Sequence, residues 1–150
     1  LLTFVLRCDD MIRIGNETVT SIMTKEIVCV SPGRNLKDVL DLMIKNSFRH
    51  VVVTTDGALV GIISKNDIDK FILNNKTINN DLQNKLVENL SVEQLMTKNV
   101  HTLSHDDSIK EAAEIISLGS YHALPVMNDQ NLVGILTSTD LILYLLRHCE

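Results

Sequence analysis

The sequence repeats itself, and the repeat limits the folds that are open to this chain. When the sequence is shifted by 73 positions, residues 23–68 align with residues 96–141 without a gap. Self-similarity over this length indicates two copies of one structural unit. The identical pairs include Met23/Met96, Thr24/Thr97, Lys25/Lys98, Ser31/Ser104, Lys37/Lys110, Val53/Val126, Asp56/Asp129, Leu59/Leu132, Val60/Val133, Gly61/Gly134, Ile62/Ile135 and Asp67/Asp140.

The clearest shared segment joins an apolar run to a Ser/Thr-x-x-Asp motif, at 59–67 and again at 132–140. One interpretation is structural: the hydroxyl and the carboxylate cap a helix start by accepting hydrogen bonds from unpaired amides. The other is functional, because a strand glycine allows close approach of another backbone or a ligand. Amides at a helix start suit a phosphate, and the Asp can accept hydrogen bonds from two ribose hydroxyls. The two interpretations are compatible.

Each copy predicts the element order β-α-β-β-α. A short β-rich piece at 27–30 ends in Ser-Pro-Gly, and apolar residues from Leu36 to Met43 then recur at helical spacing. Two strands follow, joined in the first copy by Asp56-Gly57, a strong hairpin signal. A second helix starts at the Ser/Thr-x-x-Asp motif. In the second copy Pro125 predicts an exposed edge or an irregular strand start, because proline has no amide to donate.

Segment boundaries follow from the same pattern. Residues 1–17 are interpreted as an N-terminal extension, 18–73 as the first motif, 74–90 as a linker with a short helix, and 91–147 as the second motif. Asp81 is expected to cap the linker helix, which runs to about Leu90, and Ser91-x-x-Gln94 is a further capping box.

Composition argues against several functions. The formal charge is −5 and no Lys/Arg cluster is interleaved with aromatic residues, so a nucleic-acid partner is not expected. No apolar run reaches the roughly 18 to 20 residues that span a bilayer, and the start of the chain is a poor signal peptide. A cytoplasmic location is therefore expected. Cys8, Cys29 and Cys149 lack paired spacing, which indicates neither disulfides nor a zinc site.

The motifs together resemble a family. Two copies of Met-Thr-x-x-x, an amphipathic helix, a hairpin and Gly-h-h-Ser/Thr-x-x-Asp are similar to a tandem pair of CBS domains, called a Bateman module. The stretch His122-Ala123-Leu124-Pro125-Val126 adds to the resemblance, whereas Arg49-His50-Val51-Val52-Val53 departs from it. The resemblance implies an α/β (α+β) fold of two motifs packed through their sheets with pseudo-twofold symmetry.

The resemblance also implies a ligand. Clefts between CBS motifs bind AMP, ADP, ATP, S-adenosylmethionine or a dinucleotide, each cleft taking its Asp from one copy and its adenine-facing residues from the other. These would be regulatory ligands, and no catalytic cofactor or metal is expected. One predicted set comprises Ile62, Ser64, Asn66, Asp67, Val100, His101, Tyr121 and His122. The other comprises Ile135, Thr137, Thr139, Asp140, Ile27, Val28, Phe48, Arg49 and His50.

Charge ranks the two predicted sets. Lys65, Arg49, His50, His101 and His122 are candidates to neutralise phosphate, although lone Lys and His residues are more often solvated surface groups. Arg49 stays charged at pH 7 whereas His122 is mostly neutral. Because the resemblance places Arg49 opposite Asp140, the Asp140 set is expected to bind a phosphorylated adenosine first.

The sequence leaves two function classes open. No nucleophile with a base, and no convincing metal set, is found, so the chain is interpreted as not an enzyme. His101-x-x-x-His105-Asp106-Asp107 comes nearest to a metal cluster, but it is interpreted as a solvated loop with helix caps. One class is an adenosine-ligand sensor that acts on an effector protein. The alternative is a dimerisation or interaction scaffold without ligand.

Two expectations concern assembly. Each copy has fewer than about 70 residues, too small a core to stand alone, so one chain should fold as a single compact unit. A homodimer is expected from the resemblance and from the small side chains of Ala112, Ala113 and Ser117, which suit close helix packing. The same small residues could instead serve an internal interface.

Overall fold

The chain forms two compact units. The computed structural model describes residues 16–75, 85 and 87–148. We call residues 27–100 the central unit, and the described residues up to 26 together with those from 101 onward the terminal unit.

The central unit contains a three-stranded sheet and two helices. Its elements are β1 (Cys29–Val30), α1 (Leu36–Asn46), β2 (His50–Thr55), β3 (Ala58–Ser64) and α2 (Lys65–Asn74). β2 lies in the middle of the sheet, with β1 parallel to it and β3 antiparallel. A parallel neighbour requires a crossover connection, which α1 supplies, whereas β2 and β3 need only a tight turn. Asp56 and Gly57 form that turn with φ values of 50° and 82°, as the Asp-Gly signal predicted.

The terminal unit has the same architecture. Its elements are β4 (Leu103–Ser104), α3 (Ile109–Ser117), β5 (Ala123–Asn128), β6 (Asn131–Thr137) and α4 (Ser138–Arg147). The strand order is β4-β5-β6, again with one parallel and one antiparallel pair. The predicted order β-α-β-β-α is therefore confirmed for both copies, as is the mixed α/β class.

Helical periodicity in the sequence identified the faces that form the cores. In the central unit Leu36, Val39 and Met43 of α1 are at most 1% exposed and pack on the buried valines of β2. In the terminal unit Ile109 and Ala112 of α3 occupy the same position over β5 and β6.

Each unit is completed by the segment that precedes the other copy. We call residues 17–24 and 90–97 the exchange segments. Val19, at the start of a 3-10 turn, is fully buried in the terminal unit, and its N–H donates to the Asp107 carbonyl at 2.9 Å. Val92 is equally buried in the central unit, and its N–H donates to the Arg34 carbonyl at 2.9 Å. The compact units thus cross the motif boundaries drawn from the sequence.

The capping box expected at Ser91 is present: its N–H donates to the Gln94 side chain at 2.9 Å. Most of the predicted linker helix, including Asp81, lies outside the described residues, as do residues 1–15 of the N-terminal extension. Val87, which follows, is buried in the core of the central unit.

The prediction for Pro125 is wrong. Pro125 is buried in β5, the middle strand of its sheet. Its counterpart Val52 differs, because β1 pairs with β2 from Val52 onward and the Val52 N–H donates to the Val28 carbonyl at 3.2 Å. In the terminal unit β4 pairs with β5 only from Val126 onward. Proline therefore removes one hydrogen bond beyond the end of the parallel pair and leaves the ladder itself intact.

Candidate functional site

The Ser/Thr-x-x-Asp motifs form a reciprocal cap at the start of α2 and of α4. In the central unit, Asp67 Oδ2 accepts hydrogen bonds from the Ser64 N–H at 3.0 Å and from the Ser64 hydroxyl at 2.6 Å. In the terminal unit, Asp140 Oδ2 accepts from the Thr137 N–H and hydroxyl, both at 2.7 Å. Each hydroxyl oxygen in turn accepts from the N–H of its Asp. The structural interpretation of the motif is therefore confirmed.

The caps leave half of each carboxylate available. Asp67 and Asp140 are half-buried, and all their hydrogen bonds to described residues go through Oδ2. A carboxylate oxygen has two lone pairs, so the Oδ1 atom of each Asp can accept two further donors. A vicinal diol, such as the two hydroxyls of a ribose, supplies two such donors side by side. Capping and ligand recognition can therefore coexist on one side chain.

A neighbouring loop in the same unit lies against each cap. The Lys65 N–H donates to the Arg49 carbonyl at 2.8 Å, and the Ser138 N–H donates to the His122 carbonyl at 3.0 Å. The structure thus places Arg49 in the same unit as Asp67, and His122 in the same unit as Asp140. Each of the two predicted residue sets draws on both units, so each set stays a prediction.

Cationic groups differ between the two helix starts. Lys65 forms an i,i+4 ion pair with Asp69 at 2.7 Å, so its charge is already compensated. Among the described residues Arg49 is exposed and has no ion pair. The start of α4 has no basic side chain, and Thr139, like Asn66 in α2, is exposed.

The predicted adenine-facing residues divide between surface and core. His101 and Tyr121 stack, with ring centroids 5.3 Å apart and an interplanar angle of 29°. Phe48 and Val28 are half-buried and pack against the core of the central unit. His50, Val100, Ile27 and Ile62 are half-buried, whereas His122 is exposed and Ile135 is 9% exposed. The histidine and tyrosine rings therefore offer a flat surface, whereas Phe48 serves at least partly as core.

The exchange segments pair with two of these predicted residues, a relation that sequence reasoning missed. The Ile62 N–H donates to the Thr97 carbonyl at 3.0 Å, and the Thr97 N–H donates to the Ile62 carbonyl at 2.9 Å. Ile135 and Thr24 form the same pair of backbone hydrogen bonds, at 3.0 and 2.9 Å. Val100 follows Thr97 by three residues, so it lies within about 10 Å of that rung along the chain. The repeated Met-Thr-Lys was the signal that could have identified this pairing.

The motif glycines accommodate methionine side chains. A Cβ atom on Gly61 would lie 2.5 Å from Met96 Sδ and 3.0 Å from the Thr97 carbonyl oxygen. A Cβ atom on Gly134 would clash in the same way with Met23 Sδ. The close approach that the glycines were predicted to allow is thus made within each unit, by an exchange segment.

Other candidate chemistry is weak. Within the described ranges, no three His, Cys, Asp or Glu side chains come close enough to hold a metal ion. His105 Nδ1 lies 2.9 Å from Asp106 Oδ1, and Asp107 Oδ2 accepts from the Ser104 N–H at 2.8 Å, as in a capped loop. Cys29 is an exposed free thiol whose pKa is raised, mainly because partial burial disfavours the thiolate. No helix in the part of the chain that the structure describes has the length and hydropathy to cross a bilayer.

Comparison with known proteins gives a consistent result. The sequence model of the CBS domain family matches twice, at residues 19–74 and 92–147. Protein MJ1225 of Methanocaldococcus jannaschii is 35% identical over 133 residues, which cover 86% of this chain and 47% of MJ1225. Its crystal structure superposes with a TM-score of 0.75 at 31% identity, over 87% of this chain and 48% of that one.

Two similar crystal structures contain adenosine derivatives. CBSX2, solved in complex with AMP, has a TM-score of 0.71 at 26% identity and covers 87% of this chain and 96% of its own. The CBS domain pair of protein MJ0100, solved with 5′-methylthioadenosine and S-adenosyl-L-methionine, has a TM-score of 0.73 at 27% identity and covers 89% and 98%.

This chain spans about half the length of MJ1225. It spans about a quarter of homoserine O-acetyltransferase from Methanohalobium evestigatum, which is 30% identical over 82% of this chain and 23% of the enzyme.

Proposed function

Because this chain belongs to the CBS domain family, we propose that it is a regulatory module that binds an adenosine-containing ligand. The candidates are AMP, ADP, ATP and S-adenosylmethionine. The observation that carries the proposal is the pair of capped carboxylates at the helix starts, Asp67 and Asp140, each with an Oδ1 that accepts no hydrogen bond from a described residue.

The chemistry of the helix starts suits such a ligand. A ribose would donate its two hydroxyls to the free carboxylate oxygen. A phosphate would accept from the N–H of Asn66 or of Thr139, the first-turn amides that neither the cap nor the neighbouring described loop occupies, and the helix dipole favours negative charge there. Apolar residues such as Ile62 and Ile135, together with the stacked rings of His101 and Tyr121, would contact the base. The ligands of CBSX2 and of the MJ0100 domain pair share the adenosine group that these features would recognise.

The proposed role is regulation without catalysis. A ligand regulates by binding one of two conformations more tightly, which shifts their populations and thereby the state of an effector protein. At each helix start the hydroxyl takes part in the cap, because it donates to the Asp carboxylate and accepts from the Asp N–H. The matching acetyltransferases are about four times longer than the aligned segment, so their activity need not reside in it.

A second candidate function is assembly, and the surface of α4 favours it. Ile142, Leu145 and Leu146 lie at i, i+3 and i+4 on one face of that helix and are 51–61% exposed. Apolar side chains in such a cluster are typical of a protein interface. Ala112, one of the residues from which a homodimer was expected, is fully buried in the terminal core. We therefore propose α4 as the homodimer face.

Titration calorimetry separates the two functions. Wild-type protein is titrated with AMP, ATP and S-adenosylmethionine, and the Asp67→Ala/Asp140→Ala variant serves as the matched control. Saturable binding that the double variant weakens by roughly 30-fold or more supports the sensor. If no ligand binds and sedimentation equilibrium shows a dimer, the scaffold is the better account; a 16.8 kDa species at tens of micromolar would exclude the dimer.

A further inference from the structure

Each methionine of the repeated Met-Thr-Lys occupies a space that only a glycine leaves open. Met96 Sδ and Cγ would lie 2.5 and 3.0 Å from a Cβ atom on Gly61, distances that real Cβ contacts do not allow or allow only with movement. Both methionines are half-buried at the margin of a core, packed against it from an exchange segment. The contact is therefore specific in shape, and it exists once in each unit.

The contact lies next to a predicted ligand residue. Ile62 follows Gly61, and its two hydrogen bonds to Thr97 form the rung directly beside the methionine. Ser64, which caps α2 with Asp67, is two residues further along β3. On the other side of the rung, Val100 is three residues from Thr97. Movement of Met96 would thus be transmitted to two of the three chain segments that carry the Asp67 set, 62–67 and 100–101.

We propose that Met96 and Met23 are positioning residues, one for each ligand site. Met96, held on Gly61, fixes the position of Ile62 and of the chain leading to Val100 for the Asp67 site. Met23, held on Gly134, fixes Ile135 for the Asp140 site, because Ile135 and Thr24 form the equivalent rung. The inference rests on the proposed function, since it assigns a role within the sites that the two carboxylates define.

A size-exchange experiment tests the assignment, with AMP as the probe in calorimetry. Gly61→Ala is introduced into the Asp140→Ala background, where only the Asp67 site remains. The added methyl must displace Met96, and we expect AMP affinity to fall about tenfold. Adding Met96→Ala removes the clash with the methionine side chain and should restore affinity to within about threefold of the background. The remaining deficit reflects the Thr97 carbonyl oxygen, which still lies 3.0 Å from the added methyl. Met96→Ala alone leaves a gap without a clash and should weaken binding about fivefold.

The other unit supplies the control. In the Asp67→Ala background, Gly61→Ala should change AMP affinity at the Asp140 site by less than about twofold, whereas Gly134→Ala should weaken it and Met23→Ala should restore it. Chemical unfolding of every variant is measured in parallel. If the contact were purely structural, the substitutions would lower the free energy of unfolding, but the methionine exchange would not restore AMP binding at one particular site.

The possible failures are distinct. If wild-type protein binds no AMP, the proposed function and this inference fall together. If wild-type protein binds AMP but Gly61→Ala weakens both sites equally, or the Met96→Ala exchange restores nothing, this inference alone is overturned.

Discussion

At the residue scale, one short motif combines local structure with candidate chemistry. Sequence reasoning predicted the cap correctly because Ser/Thr-x-x-Asp has a local hydrogen-bond pattern that does not depend on the rest of the fold. It could not predict that only Oδ2 would be used, since that depends on the rotamer of each Asp. It also could not identify Met96 and Met23 as the partners of the glycines, because those contacts join residues far apart in the chain.

The two carboxylates are predicted to contribute unequally. Asp140→Ala should abolish the tighter AMP site, with a loss of about 2 to 3 kcal/mol, or roughly 30- to 150-fold in affinity. Asp67→Ala should spare that site. The ranking follows from Arg49, which the family resemblance assigns to the Asp140 set and which forms no ion pair with a described residue, whereas Lys65 pairs with Asp69. Calorimetry of both single variants measures the effect.

Alanine also removes a helix cap, which costs about 1 kcal/mol of stability. The corresponding Asp→Asn variants, which keep an acceptor for the cap, are therefore the matched controls. If AMP binding survives Asp140→Ala and is lost with Asp67→Ala, the two sites have been ranked the wrong way round.

A third carboxylate makes a pH prediction. Glu111 caps α3 through Ser108, whose N–H and hydroxyl donate to it at 2.9 and 2.8 Å, and these hydrogen bonds hold the pKa of Glu111 below its usual value. A carboxyl whose pKa is lower in the folded state stabilises the fold above its unfolded pKa, and this stabilisation is lost as the pH falls through the folded value. Glu111→Gln keeps the capping box but cannot titrate.

The free energy of unfolding, measured with denaturant between about pH 6 and 3, should be higher for wild-type protein than for Glu111→Gln near pH 6. This difference should shrink in the acidic part of the range. A constant difference across the range would mean that Glu111 does not contribute through its charge.

At the scale of elements, the two copies share an order of strands and helices that the spacing of apolar residues predicted. Helices and hairpins were predicted because apolar spacing and Asp-Gly are local signals. The position of Pro125 was not, because whether a strand residue needs its N–H depends on where its neighbour strand ends. In β5 the parallel partner begins one residue too late to use that N–H, and proline is accepted inside the sheet.

This comparison predicts opposite tolerance at equivalent positions. Val52→Pro removes the hydrogen bond to the Val28 carbonyl from a fully buried strand and should cost about 1 to 3 kcal/mol in the free energy of unfolding. Pro125→Val, its matched control, should change stability by less than about 1 kcal/mol. Chemical denaturation measures both, and equal costs would contradict the role given to the parallel strand end.

At the scale of the whole molecule, the exchange segments determine which fragment of the chain contains the complete core of a unit. The sequence motif boundaries separate residues that the structure packs together, because a repeat in sequence need not coincide with a unit of packing. The core of the central unit includes Val87 and Val92, which lie beyond the end of the first copy. Comparison of the copies shows that the Met-Thr-Lys segment is repeated, but it does not show which unit each of these segments joins.

Two fragments test the exchange. A single copy was expected to have too small a core to stand alone, but residues 27–100 add Val87 and Val92 to that core and should unfold cooperatively. A fragment ending at Leu73 lacks the second exchange segment and should be partly unfolded or self-associated, because removing Val92 alone leaves a large cavity. Circular dichroism during heating compares them, and a cooperative melt of a monomer that ends at Leu73 would contradict the account.

The central claim is that the carboxylates recognise a ribose diol, and a thermodynamic cycle tests it most directly. Calorimetry measures AMP and 2′,3′-dideoxyadenosine monophosphate binding to wild-type protein and to Asp67→Ala/Asp140→Ala. Removing the two ribose hydroxyls should weaken binding to wild-type protein by roughly 30-fold or more. The same change should have little effect in the double variant, because neither Asp carboxylate remains to bind the hydroxyls. If the two nucleotides bind wild-type protein equally, or if the loss is the same in both proteins, the carboxylates do not bind the ribose.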